Sequence, residues 1–359
     1  MYQFDLFCRV IDNWGDAGVS WRLANQLAAE FGVQVRLIID EVKPLEVLAS
    51  DVLDFGTDGR IRSKRRGIQV ERWAMMEAGT AGASEVAPVV IEAFACDPPE
   101  RYLAAMAERA YAGDPPVWLN LEYLSAEAWV DRVHGLPSPH PRLPLVKHFF
   151  VPGFTPASGG LIRERMVKPL PAESCALDAG DTDAARRLRV FSFTYPNAPV
   201  AELANALHAE VTLAAPLAVL PARVLPYWVV PQSEFDRILA RHDLLLVRGE
   251  DSFLRAQYAG RPLLWHIYPT DDQAHLPKLE AWLDRYCVGL DPVTSAIYRR
   301  ASRWFVAPDG QPPDWVAFAR SLPILRRHAM AWQQHLCTEP DLATRMMAFI
   351  SERKTMPGR

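Results

Sequence analysis

QFDLFCRVIDNWGDAGVSWRLANQLAAEFGVQVRLII (residues 3–39) begins with too little alternation for a half-exposed strand and recurs at helical spacing in its middle. Gln3–Ile11 reads as a buried parallel strand. A polar loop is expected from Asp12 to Gly18. Val19, Leu23, Leu27, Ala28 and Phe31 then share one helix face, Gly32 is placed to end that helix, and Val33–Ile39 is a second strand. Strand, loop, helix, strand is the opening of a doubly wound α/β sheet.

The pattern continues outward. Ala87–Cys96 is apolar and stops at Asp97-Pro98-Pro99, a helix is expected from Glu100 to Tyr111, and Val117–Leu121 is strand-like. Pro137–Pro156 is rich in proline and reads as irregular surface chain. A second series starts at Leu188–Tyr195 and continues through helix-like AELANALHAE (201–210) and VTLAAP (211–216). Asp243–Arg248 follows as a strand, Phe253–Tyr258 as a helix ended by Gly260, and Leu263–Tyr268 as a strand. The tail from Trp315 to Arg353 reads as helical with breaks at Pro323 and Pro340. The fold class expected is α/β, with two Rossmann-like domains facing a cleft. Their bounds are 1–165 and 188–340, and a helical tail, 341–359, packs back on the first.

With 359 residues the chain exceeds the ~250–300 at which one core stops growing, which agrees with two domains. Half the residues are hydrophobic and 23% are charged, an ordinary globular balance. A net charge of -4 argues against a protein that depends on a broadly basic surface for nucleic acid. Five widely spaced cysteines without a CxxC fit reduced thiols better than disulfides or structural zinc. The N-terminus lacks a basic segment followed by a long apolar one, and no stretch approaches ~20 apolar residues. A cytoplasmic location without membrane contact is the expectation.

Two strand-to-helix junctions carry candidate chemistry. In IDNWGDAGVSW, Asp12 and Asp16 lie four apart around an aromatic, and Gly15 and Gly18 permit tight turns and close approach. Such a carboxylate pair can hold a cation, bind a metal or supply a general base. Helix capping by Asp16 and turn formation by Asp12 is the plain structural reading of the same residues. In Arg248-Gly249-Glu250-Asp251-Ser252, a helix start suits a diphosphate, with Arg248 and Ser252 as further donors, or Asp251 or Ser252 simply caps. Asp181-Thr182-Asp183 has the form of a metal-binding DxD, but no strand precedes it, so it reads as a solvated loop. His134, His140 and His148 are too irregularly spaced to read as a metal site.

Six stretches together resemble the bacterial elongation factor P arginine rhamnosyltransferase family, EarP. They are FCRVIDNWGDAGVSWRLANQLA (7–28), IEAFACDPP (91–99), WLNLEYLSAEAWV (118–130), HGLPSPHP (134–141), VRGEDSFLRAQYAG (247–260) and PLLWHIYPTDDQAHLPKL (262–279). The resemblance implies a GT-B fold with the acceptor on the N-terminal domain and the nucleotide sugar on the C-terminal one. It implies inverting transfer of L-rhamnose from dTDP-β-L-rhamnose to an arginine of translation elongation factor P, with no metal or other cofactor and no direct nucleic-acid contact.

Carried onto this chain, the resemblance makes Asp16 the general base and Asp12 the residue that orients the acceptor. Asn13, Trp14, Gly15 and Gly18 belong to the same binding loop. Arg248, Gly249, Asp251 and Ser252 hold the diphosphate, and Glu250 is also required. Gln232 contacts the thymine base, and Tyr195 and Tyr268 stand near the phosphate or sugar. The aromatic expected to pack on the base is replaced by Val229, with Trp228 and Tyr227 beside it able to stand in. Alternatives are a GT-B enzyme with another sugar or acceptor, or a non-catalytic nucleotide-sugar-binding, translation-associated module. Asp16 and Glu250 favour an enzyme.

Overall fold

The computed structural model describes residues 3–56, 61–78, 85–168, 187–225, 230–268 and 273–355. The chain divides into two compact units, one of residues 1–166 with 339–359 and one of residues 167–338.

In chain order the first unit carries β1 (Phe4–Cys8), α1 (Asn13–Phe31), β2 (Val35–Ile39), α2 (Leu45–Leu48), β3 (Leu53–Phe55), β4 (Ile61–Ser63) and β5 (Ile68–Arg72). It continues with α3 (Trp73–Ala78), β6 (Val89–Ala93), α4 (Glu100–Tyr111), β7 (Val117–Leu121), α5 (Val130–Val133), β8 (Pro137–Pro139) and β9 (Val146–Phe150). Its main sheet has the order β5-β2-β1-β6-β7-β9-β8, parallel except for β8. The chain winds outward from β1 to β5, then returns to β6 on the other side of β1. The topological switch point therefore lies between the carboxyl ends of β1 and β6, where open α/β sheets bind ligands.

β1, β2 and β6 are buried along their whole length, as parallel strands covered on both faces must be. Asp5 is an acid inside that buried strand. It sits opposite Arg36 of β2, whose Nε and Nη2 donate to its two oxygens at 2.8 and 2.7 Å, and Tyr102 of α4 also donates to it. Phe7 packs edge-on against Trp73 and Tyr102, with centroids 5.5 and 4.7 Å apart. Gly32 ends α1 at φ 68°, its N–H reaching the Ala28 carbonyl at 3.2 Å, a conformation that glycine adopts without steric cost.

The second unit contains β10 (Arg189–Phe193), α6 (Val200–Ala206), β11 (Glu210–Leu213), β12 (Val224–Leu225), α7 (Gln232–Leu239), β13 (Leu244–Arg248), α8 (Asp251–Tyr258) and β14 (Leu263–His266). Helices α9 (His275–Tyr286), α10 (Pro292–Val306) and α11 (Trp315–Leu336) follow. The sheet order is β12-β11-β10-β13-β14, all parallel, so its switch point lies between β10 and β13. Phe253 of α8 stacks on Trp265 of β14 at 3.9 Å, and Trp282 of α9 meets Phe253 edge-on.

The last helix, α12 (Leu342–Thr355), belongs to the first unit. Gln26 donates to Asp341 at 2.9 Å and Leu342 N–H to the Leu161 carbonyl at 2.8 Å. Phe349 packs on His134, His148 and Phe150.

The structure corrects three expectations. α1 starts at Asn13, so most of the loop expected from Asp12 to Gly18 is helical. Pro137–Pro156 is not wholly irregular, because β8 and β9 lie in it. β8 is the sheet's outermost strand, where proline's missing N–H is tolerated. Pro323 lies inside α11 rather than breaking it, while Trp315, Phe318, Leu325 and Met330 of that helix are buried. Helical burial of this kind offsets the lost bond and ring clash of an interior proline, roughly 3 kcal/mol. Within the apolar stretch Ala87–Cys96 the strand occupies Val89–Ala93, because Phe94 and Ala95 turn into the left-handed region.

Candidate active site

Both expected loops fall at the switch points. Asp12 stands at the N-cap of α1, four residues beyond the end of β1, without a side-chain bond to the helix's first N–H groups. Asp16, in the first turn, is buried. Its Oδ2 accepts the Ile11 N–H at 2.7 Å and the Asp12 N–H at 2.9 Å, reaching back as the acid of a capping box does. That capture starts the helix despite Gly15 and Gly18. The capping reading of Asp16 is thus structurally real, though through a backward reach.

Burial raises the Asp16 pKa above its ordinary value. The two N–H donors and a hydrogen bond from Tyr123 oppose this, while the charge of Asp12 adds to it. A buried carboxylate with raised proton affinity is a better base than an exposed one. Trp14 and Gly15 are half-buried and Gly18 is buried. A Cβ on Gly15 would lie 2.8 Å from Asp12 Oδ2, so the bare Cα gives that carboxylate its place. Gly15→Ala is expected to cut kcat/KM about tenfold by displacing Asp12. The Tm should not fall, since alanine is the better helix former by roughly 1 kcal/mol. Steady-state kinetics beside a thermal melt checks this, and unchanged kcat/KM would remove Asp12 from the site.

Around the same switch point, the segment after β6 is strained. Phe94, Ala95 and Asp97 have φ of 60°, 51° and 47°, a region costing an L-residue about 1–2 kcal/mol. Phe94 N–H donates to the Leu121 carbonyl at 2.7 Å and Ala95 N–H to Asn120 Oδ1 at 3.0 Å. Beyond it lies a cavity of about 650 Å³ lined by Arg9, Asp97, Trp118, His140 and Lys147 among others, but not by Asp12 or Asp16.

In the second unit Arg248 ends β13 and Gly249 follows at φ 56°. The Arg248 guanidinium lies 4.6 Å from the Phe193 centroid and 4.8 Å from that of Tyr195, so two rings from the end of β10 hold its plane. Tyr195 and Tyr268 meet edge-on at 5.5 Å. Glu250 precedes α8 and forms an ion pair with Lys278 at 3.3 Å. Ser252 donates back to the Arg248 carbonyl, and neither it nor Asp251 is the N-cap, which is Glu250. Asp251 accepts from Gln232 Nε2 at 2.8 Å, so the amide expected on the thymine base is tied to this helix start. Tyr227, Trp228 and Val229 lie outside the described residues, as do Asp181-Thr182-Asp183.

Three neighbours were not singled out from sequence: Tyr123, Lys278 and His266. His266 is buried, accepts the Tyr195 N–H on Nδ1 at 3.3 Å, and has its pKa pushed down to about 4 by burial first and by Arg248 and His275 next. Each lies within a matched stretch. His266 ends its strand and Tyr123 follows two residues after one, which is the signal that could have found them. No group of three or more His, Cys, Asp or Glu able to hold a metal occurs among the described residues, where no helix is long and apolar enough to cross a membrane.

The family model for elongation-factor P (EF-P) rhamnosyltransferase EarP matches residues 4–226 and 211–351. A protein-arginine rhamnosyltransferase from Pseudomonas aeruginosa is 38% identical, covering 98% of this chain and 100% of the relative. Another from Neisseria meningitidis serogroup B is 33% identical over 97% of both chains. A solved structure described as the basis for EarP-mediated arginine glycosylation of translation elongation factor EF-P is similar at 25% identity. Its TM-score is 0.57, and the match covers 99% of this chain and 100% of that one. The architecture is that of GT-B glycosyltransferases. The chain belongs to the EarP family of elongation-factor P rhamnosyltransferases.

Proposed function

We propose that the protein transfers L-rhamnose from dTDP-β-L-rhamnose to one arginine of elongation factor P, in the cytoplasm, with inversion and without a metal ion. The reading is supported above all by the pairing of two switch-point sites of opposite character. One is acidic and suited to a guanidinium. The other presents Arg248 and a helix start suited to a diphosphate.

A guanidinium has a pKa above ~12 and is a poor nucleophile while protonated. Asp12 and Asp16 would grip its planar fork through charge-assisted hydrogen bonds. As its nitrogen bonds to the anomeric carbon, the bond from that carbon to the diphosphate oxygen breaks. The surplus proton on the attacking nitrogen passes to Asp16. Oδ2 already accepts two N–H groups, so Oδ1 is the natural proton acceptor. Charge developing on the departing dTDP would be met by Arg248, the first-turn N–H groups of α8 and Ser252. These donors supply the positive potential that a metal would bring to the leaving group. Gln232 and the aromatics near residues 227–229 would hold the base, and Tyr195 and Tyr268 the sugar side.

Incubation with dTDP-β-L-rhamnose and elongation factor P should raise the intact mass of the factor by one deoxyhexose, with fragmentation placing it on an arginine. Chelator should not change the rate. No mass change with intact donor and folded factor would sink the proposal.

A further inference from the structure

We propose that Tyr123 is a positioning residue for Asp16, with its hydroxyl aimed at the carboxylate by the stacking of its ring on Phe94. This rests on the reading of Asp16 as the base. The two rings lie nearly parallel, at 13° and 4.3 Å between centroids. Tyr123 stands two residues beyond β7, and Phe94 is the first residue after β6. The carboxylate comes from the turn after β1. Three adjacent strand ends thus converge on one group.

The backbone conformation of Phe94 points the same way. A bulky residue at φ 60° persists only where its surroundings hold it. Here Phe94 N–H is held by the Leu121 carbonyl, Ala95 N–H by Asn120, and the Cys96 thiol by the Phe7 carbonyl at 3.4 Å. An extended residue at 94 would carry its side chain elsewhere. The left-handed one lays its ring flat on Tyr123.

The Asp16 carboxylate needs this support for a physical reason. Its two N–H donors both meet Oδ2, and they locate that oxygen while leaving the plane of the group free to turn. A third donor, arriving from a different strand, fixes the plane and hence the direction of the lone pairs. Proton transfer depends steeply on that direction. A phenol also favours the ionised form of the acid it donates to, so its removal should raise the proton affinity of Asp16 further.

Tyr123→Phe keeps the ring and its stack and removes the hydroxyl. The expected result is a fall in kcat of about tenfold with the KM of both substrates little changed. The acid limb of the pH–rate profile should move to higher pH. A titration of ¹³C-labelled aspartate, with the Asp16 signal assigned by its loss in Asp16→Asn, should show its midpoint displaced upward. Phe94→Leu, which keeps apolar bulk but offers no flat face, should move both readouts in the same direction by less. An Asp16 midpoint unmoved by Tyr123→Phe would overturn the proposal. A midpoint that moves while kcat and the acid limb stay put would instead overturn the reading of Asp16 as the base.

Discussion

Asp16→Asn is expected to lower kcat for arginine rhamnosylation by about 10²–10⁴-fold, the usual contribution of a positioned general base. The substitution is nearly isosteric. The amide oxygen can still accept the Ile11 and Asp12 N–H groups that start α1, so the local fold should survive. The amide cannot take up a proton. Donor binding should not change, because Arg248 and α8 belong to the other compact unit. Stability supplies an independent check. The Asp16 pKa is raised in the folded state, so the fold favours its neutral form. The stability linked to that proton is present below the ordinary carboxylate pKa and is lost as pH rises through the raised one. At neutral pH the ionised acid is therefore a burden, and the amide should not lower the Tm. Turnover at the wild-type rate would show that Asp16 serves α1 alone.

Arg248→Ala is expected to weaken dTDP-β-L-rhamnose about 10- to 150-fold. That is the loss of one or two charge-assisted hydrogen bonds worth roughly 1.5–3 kcal/mol. Calorimetry with dTDP isolates this from catalysis, and unchanged affinity would remove Arg248 from the donor site. Arg248→Lys should recover little. The ring faces of Phe193 and Tyr195 hold a planar group, and an ammonium offers no fork. Arg248→Ala, which removes the charge, should also let the His266 pKa rise from about 4, although burial, the larger cause, will keep it below the ordinary histidine range.

Much of this was legible in the residues. Near-continuous apolar runs gave the buried strands, and their order with the intervening helices gave two doubly wound units. The start of α1 was not legible, because Gly15 and Gly18 read as loop formers. What overrides them is the contact of Asp16 with N–H groups four and five residues earlier, a contact visible only once the turn is built. β9 was hidden because the prolines around Val146–Phe150 dominate the local pattern. Pro323 misled because local propensity cannot weigh the burial of Trp315, Phe318 and Leu325.

The candidate site divides similarly. Asp12, Asp16 and Arg248 to Ser252 stood out because charge at a strand-to-helix junction is conspicuous. Tyr123, His266 and Lys278 did not, because a place at or near a strand end marks many residues, and only the partner shows which of them matters. Gln232 entered only through the family resemblance, and its bond to Asp251 was not legible at all.

The membership of α12 in the first unit has a consequence for how the molecule is made. The chain leaves that unit after residue 166, completes another, and returns at residue 339. The second unit is therefore an insertion, and it can finish folding on the ribosome before its host can. Until Phe349 emerges, the surface formed by His134, His148 and Phe150 stays uncovered, and the Gln26 amide lacks Asp341. The unit synthesised first is thus the last to be closed. A message cut short near its end would leave the unit that carries Asp16 incomplete, with the one that carries Arg248 already formed.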